Sequence, residues 1–313
     1  LVIVGDIFSI EEEILALDFL TKSKAPILLE SISNLRGKLN PEFVLKSHDL
    51  EIERFIDDES ISSIVRIGGV PTTSLWRKLT TKYKHLPVYN FSHSKFSGLP
   101  TTENVFSYAS ITIENPNWSK ILDSDNRKQQ KISQILATYP RSEAAMLRSL
   151  SKQMDSNDNL YLGNSLPIRD WDVFTDKHLQ LKRLGSNRGA NGIDGQLSSF
   201  IGFSYPHKRN IGLFGDLTTM YGLSAPWILN QIPEDQVHIF TIINNSGGQI
   251  FSRMYDSKTY VNPHSLQFDG WASFWRLPYF PMKKVEALPH TNAVVEIFPD
   301  PVETDLFWKD LKA

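Results

Sequence analysis

The sequence predicts an α/β protein of two domains, each a mainly parallel sheet flanked by helices. Short apolar runs alternate with helical patterns along the whole chain, which is the signature of strand–helix–strand units. The polar, glycine-bearing phrases of the second half fall directly after apolar runs, where open parallel sheets place their ligand sites. With 313 residues there is enough chain for two compact cores.

Taken in order, strands are expected at Leu1–Val4, Pro26–Leu29, Ser63–Ile67, Pro87–Phe91 and Ser110–Ile113. Helices are expected between them, near Ile10–Lys22, Leu50–Asp57 and Thr72–Tyr83. Ser9 followed by three glutamates offers an N-cap with acids in the first turn, which suits the helix dipole. From Glu114 to Arg127 the texture turns polar and turn-rich, so the domain boundary is set there: residues 1–120, then 121–313. A long helical region is expected from Arg127 to Met154. Strands follow at Leu160–Leu162, Leu179–Leu184, Ile211–Phe214, Val237–Ile243 and Ala293–Phe298, and a helix at Thr304–Leu311 closes the chain. There is no repeat of fixed period and no low-complexity segment.

Composition narrows the function classes. A net charge of −2 gives no general pull toward nucleic acid or anionic membrane. With no cysteine, disulfides, thiolate nucleophiles, iron–sulfur clusters and cysteine-type zinc sites are excluded together, and a reducing cytoplasm fits. No apolar run reaches the ~18 residues of a membrane span. The opening Leu1-Val-Ile-Val-Gly-Asp lacks Met and a basic leader and reads as a core strand, as if cut from a longer chain. The eight histidines show neither H-x-x-x-H nor H-E-x-x-H spacing. Neither G-x-S-x-G nor G-x-x-x-x-G-K-[ST] occurs.

Four phrases carry chemistry. Ile211-Gly-Leu-Phe-Gly-Asp ends a strand on Gly215-Asp216, and Val237–Ile243 ends on Asn244-Asn-Ser-Gly-Gly248. Asp216 and Asn245 stand 29 positions apart, about one strand–helix–strand crossover, so adjacent strand ends would bring them to one spot. A carboxylate, an amide oxygen and a backbone carbonyl are hard ligands suited to Mg²⁺, with phosphate oxygens completing the shell. The glycines let backbone N–H groups approach a diphosphate. The same residues also dominate ordinary turns, so either phrase alone has a plain structural account.

Gly185-Ser-Asn-Arg-Gly-Ala-Asn-Gly-Ile-Asp-Gly195 has its later glycines as G-x-x-G-x-x-G, not the dinucleotide G-x-G-x-x-G. Arg188, among small residues at a helix start, suits a carboxylate clamp, though a lone Arg in such a loop is often solvated. In Tyr161-Leu-Gly-Asn-Ser-Leu-Pro-Ile-Arg-Asp-Trp171, Ser165 and Arg169 are four apart and can face one pocket, and Pro167 falls in the first helical turn. A capped helix with a surface Arg is the plainer alternative.

The Gly-Asp and Asn-Asn pairing resembles the diphosphate signature of thiamine-diphosphate enzymes. Together with Gly163-Asn-Ser-Leu-Pro-Ile-Arg-Asp, the Ser186–Gly195 run, Asn244-Asn-Ser-Gly-Gly-Gln-Ile-Phe251, His264-Ser-Leu-Gln-Phe-Asp269 and Arg66-Ile-Gly-Gly-Val-Pro-Thr-Thr73, it resembles one family. That family is 2-succinyl-5-enolpyruvyl-6-hydroxy-3-cyclohexene-1-carboxylate synthase of menaquinone biosynthesis. The resemblance is dense in the second half and diffuse in the first. It implies a fold of a middle domain followed by a diphosphate-binding domain.

By that resemblance, Asp216, Asn245 and the Gly247 carbonyl would hold Mg²⁺ or Mn²⁺. Asn164, Ile193, Gly215, Asp216, Leu217, Asn245, Gly247 and Gly248 would line the thiamine diphosphate site, with Leu217 where Gly or Ser is commoner. Ser165, Arg169 and Arg188 would contact substrate carboxylates, and Ile193 would be a stiff apolar prop beneath the cofactor. The implied reaction takes CO₂ from 2-oxoglutarate and joins the rest to isochorismate. The implied protein is a cytoplasmic homodimer or tetramer with no nucleic-acid partner. Its N-terminal pyrimidine-binding domain, which carries an activating glutamate, is not found in this sequence, so the chain alone is expected to be inactive. Glu286-Ala-Leu-Pro-His-Thr-Asn292 is shorter than the helix expected there. Two other readings stand beside this one: a different thiamine-diphosphate 2-oxoacid decarboxylase or synthase, and a non-catalytic module of the same fold.

Overall fold

A computed structural model describes residues 1–7, 9–47, 49–92, 99, 103–104, 113, 118–188, 191–252 and 258–313. Its contacts divide the chain into Leu1–Ser133 with Asp176–Gln180, and Gln134–Thr175 with Leu181–Ala313. In the first unit, strands β1 (Val2–Val4), β2 (Ile27–Leu29), β3 (Ile64–Ile67), β4 (Val88–Phe91) and β5 (Glu103–Asn104) form one sheet in the order β2-β1-β3-β4-β5. Its pairings are parallel, with Val2 opposite Ile27 on one side and Val65 on the other. Every residue of β1, β2 and β3 is buried, as befits parallel strands covered on both faces. Side chains alternate between two cores, Ile3, Leu28 and Ile64 in one, Val2, Val4 and Ile27 in the other.

Helices α1 (Ile10–Ser23), α2 (Ile52–Asp57) and α3 (Ser74–Lys78) connect these strands. Ser9 caps α1, its hydroxyl accepting from Glu12 N at 3.1 Å. The Arg66–Thr73 phrase is a buried polar turn: Arg66 donates to the carbonyls of Gly69 (3.0 Å) and Gly68 (2.6 Å). Burial pulls its guanidinium down to about 10. Helix α3 is shorter than the expected 72–83 helix, with turns following it. The strand expected at Ser110–Ile113 lies outside the described residues.

Two further expectations are corrected. Residues 127–154 are not one helix. Helix α4 spans Ser119–Thr138 and α5 spans Glu143–Ser151, with a break that contains Pro140. The polar run Asp123-Ser-Asp-Asn126 therefore lies inside a helix. Asp125 is buried and accepts from Lys46 N (2.8 Å), Ser47 N (2.9 Å) and the Ser47 hydroxyl (2.6 Å), so its polarity is fully used. The division into units falls within α4, at residues 133 and 134.

The second unit holds β6 (Asn159–Leu162), α6 (Leu166–Phe174), β7 (Arg183–Gly185), α7 (Gln196–Phe203), β8 (Arg209–Gly215), α8 (Asp216–Tyr221), a 3-10 turn (Ala225–Gln231) and β9 (Val237–Ile243). It continues through α9 (Gln249–Ser252), α10 (Lys258–Val261), α11 (Asp269–Phe274), β10 (Tyr279–Met282), β11 (Ala293–Ile297) and α12 (Pro301–Lys312). The strand expected at Leu179–Leu184 is only Arg183–Gly185, since Leu179 and Gln180 pack with the first unit. Residues 283–292 form no helix.

The sheet order is β10-β11-β9-β8-β6-β7, with parallel pairings throughout. From β6 the chain goes to β7 on one side and returns to β8 on the other, so β6 and β8 flank the topological switch. A crevice outside their carboxyl ends is the expected ligand site of such a sheet.

Phe200 anchors the aromatic core, with ring centroids 5.5 Å from Phe240, 5.7 Å from Phe214 and 5.8 Å from His238. His238 is fully buried, its Nε2 2.8 Å from the Ser204 hydroxyl, and burial pulls its pKa from 6.5 to about 4. The unfolded chain therefore takes up a proton that the folded one refuses. Stability is full above about pH 6.5 and declines as pH falls toward 4, by about 2 kcal/mol between pH 7.5 and 5. Denaturant midpoints measured at both pH values should fall less for His238→Gln than for the natural protein. Equal losses would show that His238 is not the group responsible.

Candidate functional site

Three strand ends converge at the switch of the second sheet. Strand β6 ends in Gly163-Asn164-Ser165, β8 in Gly215-Asp216, and β9 in Asn244-Asn245. A cavity of about 320 Å³ opens there, and its lining includes every candidate named from the sequence: Asn164, Ser165, Arg169, Arg188, Ile193, Gly215, Asp216, Leu217, Asn245, Gly247 and Gly248. The pairing of β8 with β9 sets Gly215 opposite Ile243, so Asp216 and Asn245 leave neighbouring strands together. The sequence spacing anticipates this placement.

Asp216 is 1% exposed at the first position of α8. Its Oδ1 accepts from Leu217 N at 2.6 Å and its Oδ2 from Gly247 N at 2.9 Å. Burial pushes its carboxyl upward, opposed by those two amides and by the nearby His264. His264 Nδ1 accepts from Leu266 N at 3.2 Å, which leaves the ring proton for Nε2. That Nε2 lies 3.3 Å from Asp216 Oδ2 without hydrogen-bond alignment.

Asn245 donates through Nδ2 to Glu143 Oε2 at 3.0 Å. Its Oδ1 is buried and has no hydrogen-bond partner among the described residues. A buried, unpaired amide oxygen costs about 1–3 kcal/mol unless something else meets it. The turn beyond it is tight: Ser246 has φ 64 and Gly247 φ 134, and a Cβ on Gly247 would lie 2.6 Å from the Val261 carbonyl. Only glycine fits there. The Gly247 carbonyl accepts from Gln249 N at 2.9 Å and retains a second lone pair.

The opposite wall is a loop held by Asn164. Its Nδ2 donates to the carbonyls of Asn187 (3.1 Å) and Gly192 (2.8 Å), and its Oδ1 accepts from Arg188 Nη1 at 3.0 Å. Gln196 Oε1 accepts from Asn164 N at 2.8 Å. Arg188 is not at a helix start as expected, because α7 begins only at Gln196; Asn191, Gly192 and Ile193, which precede it, line the cavity. Arg169 Nη1 reaches its own turn, 2.6 Å from the Ser165 carbonyl. Ser165 has φ 77, an unfavourable conformation for a residue with a side chain, held at the foot of α6 where such strain marks functional turns.

A hard divalent ion fits this donor set. It would meet one carboxylate, one otherwise unmet amide oxygen and one carbonyl, and no group of three His, Cys, Asp or Glu occurs among the described residues. That leaves most of the shell to a ligand's own oxygens, the usual arrangement for Mg²⁺ with a phosphorylated molecule. Sequence reasoning missed Glu143, which lies 102 positions before Asn245, and gave no role to Gln196. Neither carries a local signal, since each meets its partner only through the fold.

The fold and site define an α/β protein with a cleft lined by polar strand ends at a topological switch point. No family model matches the chain. It is 37% identical over 309 residues to the 2-succinyl-5-enolpyruvyl-6-hydroxy-3-cyclohexene-1-carboxylate synthase of Bdellovibrio bacteriovorus, covering 94% of this chain and 58% of that protein. Proteins of the same name in Akkermansia muciniphila and Lactococcus lactis are 30% and 29% identical, over 90% and 82% of this chain and 56% and 49% of theirs. Over nearly all of its own length, the chain is homologous to these synthases. It spans about half the length of these curated relatives.

Proposed function

We propose that the natural protein carrying this chain is a thiamine-diphosphate-dependent synthase of menaquinone biosynthesis. It removes CO₂ from 2-oxoglutarate and joins the remaining four-carbon unit to isochorismate. The observation that carries this reading is the buried, unmet Oδ1 of Asn245 beside Asp216, at the ends of adjacent parallel strands. The shared name of the relatives, which specifies a succinyl-bearing cyclohexene carboxylate, supports the product.

Bound thiamine diphosphate would supply the electron sink for loss of CO₂. Asp216, Asn245 Oδ1 and the Gly247 carbonyl would hold Mg²⁺ or Mn²⁺, and through it the diphosphate. Gly215, Leu217 and Gly248 line the approach, and Asn164 fixes the loop that presents Ile193 as the apolar prop. Arg169 and Arg188 grip substrate carboxylates, with the Ser165 hydroxyl between strand end and helix as a further donor. The protein works in the cytoplasm as a homodimer or tetramer. It requires residues beyond this chain to activate the cofactor, so the isolated chain is inactive.

The test is mass spectrometry on the full-length protein with thiamine diphosphate, Mg²⁺, 2-oxoglutarate and isochorismate. The succinyl adduct should appear with the full-length protein and not with the isolated chain. Release of CO₂ without the adduct would move the reading to another acceptor. Absence of both cofactor binding and turnover would overturn it.

A further inference from the structure

We propose that Glu143 is a positioning residue that fixes which end of the Asn245 amide faces the cavity. This rests on the reading of Asp216, Asn245 and Gly247 as an ion site, and adds to it a residue outside that donor set. An asparagine amide has nearly the same shape with its oxygen and nitrogen exchanged, so only its hydrogen bonds decide its orientation. Presented wrongly, it would aim an NH₂ group at a cation.

Glu143 is placed to prevent this. It is 1% exposed at the first position of α5. Its backbone N donates to the Thr304 hydroxyl at 3.1 Å, and Ser142 caps the same turn by accepting from Ala145 N at 3.3 Å. The backbone that carries the carboxyl group is thus held from two sides. Oε2 lies 3.0 Å from Asn245 Nδ2. By accepting at Oε2, the carboxyl group takes the nitrogen end and leaves Oδ1 as the end with no partner among the described residues, on a side chain that lines the cavity. Partners of this kind, one step behind a metal ligand, typically contribute about 10–100-fold to metal affinity.

The test compares Glu143→Gln, Asn245→Asp and the double variant in the full-length protein. Mn²⁺ affinity in the presence of thiamine diphosphate is measured by electron paramagnetic resonance, and thermal midpoints are measured without metal. A glutamine at 143 can donate as well as accept, so it tolerates the reversed amide; Mn²⁺ should bind at least about tenfold more weakly. An aspartate at 245 would set two carboxyl groups against each other and weaken Mn²⁺ binding too. In the double variant the glutamine amide can donate to the new aspartate, and affinity should recover toward the natural value. A purely packing role would lower the metal-free thermal midpoint and show no such recovery.

Natural-strength Mn²⁺ binding in Glu143→Gln, or a double variant no better than the weaker single, would overturn the proposal. If the unaltered protein takes up no Mn²⁺ with thiamine diphosphate, the ion-site reading itself fails and this inference falls with it. A metal-binding natural protein that is insensitive at 143 removes the inference alone.

Discussion

Asp216→Asn is expected to abolish the thermal stabilisation that thiamine diphosphate and Mg²⁺ give the natural protein. The substitution preserves shape and removes the one carboxylate among the proposed ligands. Partners one step behind a metal ligand contribute about 10–100-fold, so loss of the single charged ligand should weaken the ion by more than about 100-fold. A ligand at a hundredfold excess over its Kd stabilises by about 2.7 kcal/mol, a rise of about 5–10 °C for a unit of this size. The natural protein should show that rise and Asp216→Asn almost none. The metal-free variant should also melt slightly lower. An amide keeps one oxygen, so either Gly247 N or Leu217 N loses its acceptor, at about 1 kcal/mol. Scanning calorimetry with and without cofactor and metal separates the two effects. A shift in Asp216→Asn equal to that of the natural protein would remove Asp216 from the site.

The sequence made some of this legible and hid the rest for physical reasons. Strands β6, β8 and β9 are central, and their apolar runs stop abruptly at Gly-Asn-Ser, Gly-Asp and Asn-Asn. Burial on both faces writes such strands into composition, and the sheet then has little choice about where their ends meet. Strand β10 escaped because it is an edge strand, half exposed and carrying Pro281. The start of α4 escaped because its Asp-Ser-Asp-Asn run looks like a turn. Only the fold supplies the Lys46 and Ser47 amides that satisfy Asp125. The site divides the same way. The groups at strand ends were visible, while Glu143, whose partner is remote in sequence, was not. Arg188 was expected at a helix start and is not at one, because glycine-rich sequence does not fix where the next helix begins.

Arg188→Ala should lower kcat/KM for 2-oxoglutarate by about 100-fold while the KM for thiamine diphosphate changes little. The guanidinium sits on the loop wall of the cavity, anchored through Nη1 to Asn164 Oδ1 at 3.0 Å. Asn164 in turn spans the loop, from Asn187 O to Gly192 O. That anchor sets the plane of the fork before a substrate arrives, so little side-chain entropy remains to be lost on binding. A hydrogen bond to a charged group contributes about 1.5–3 kcal/mol, or about 10–150-fold, and a bidentate grip lies at the upper end. Arg188→Lys keeps the charge and loses the fork, so it should recover less than about tenfold of the loss. In the proposed reading the diphosphate would be held at Asp216 and Asn245, just past the ends of β8 and β9, so cofactor affinity should be spared. Steady-state kinetics on the full-length variants, varying 2-oxoglutarate and thiamine diphosphate separately, give both quantities. A parallel loss of cofactor affinity would mean that Arg188 acts through the loop that presents Ile193. An unchanged kcat/KM would place the substrate carboxylate elsewhere in the cavity, with Arg169 on the neighbouring helix as the next group to test.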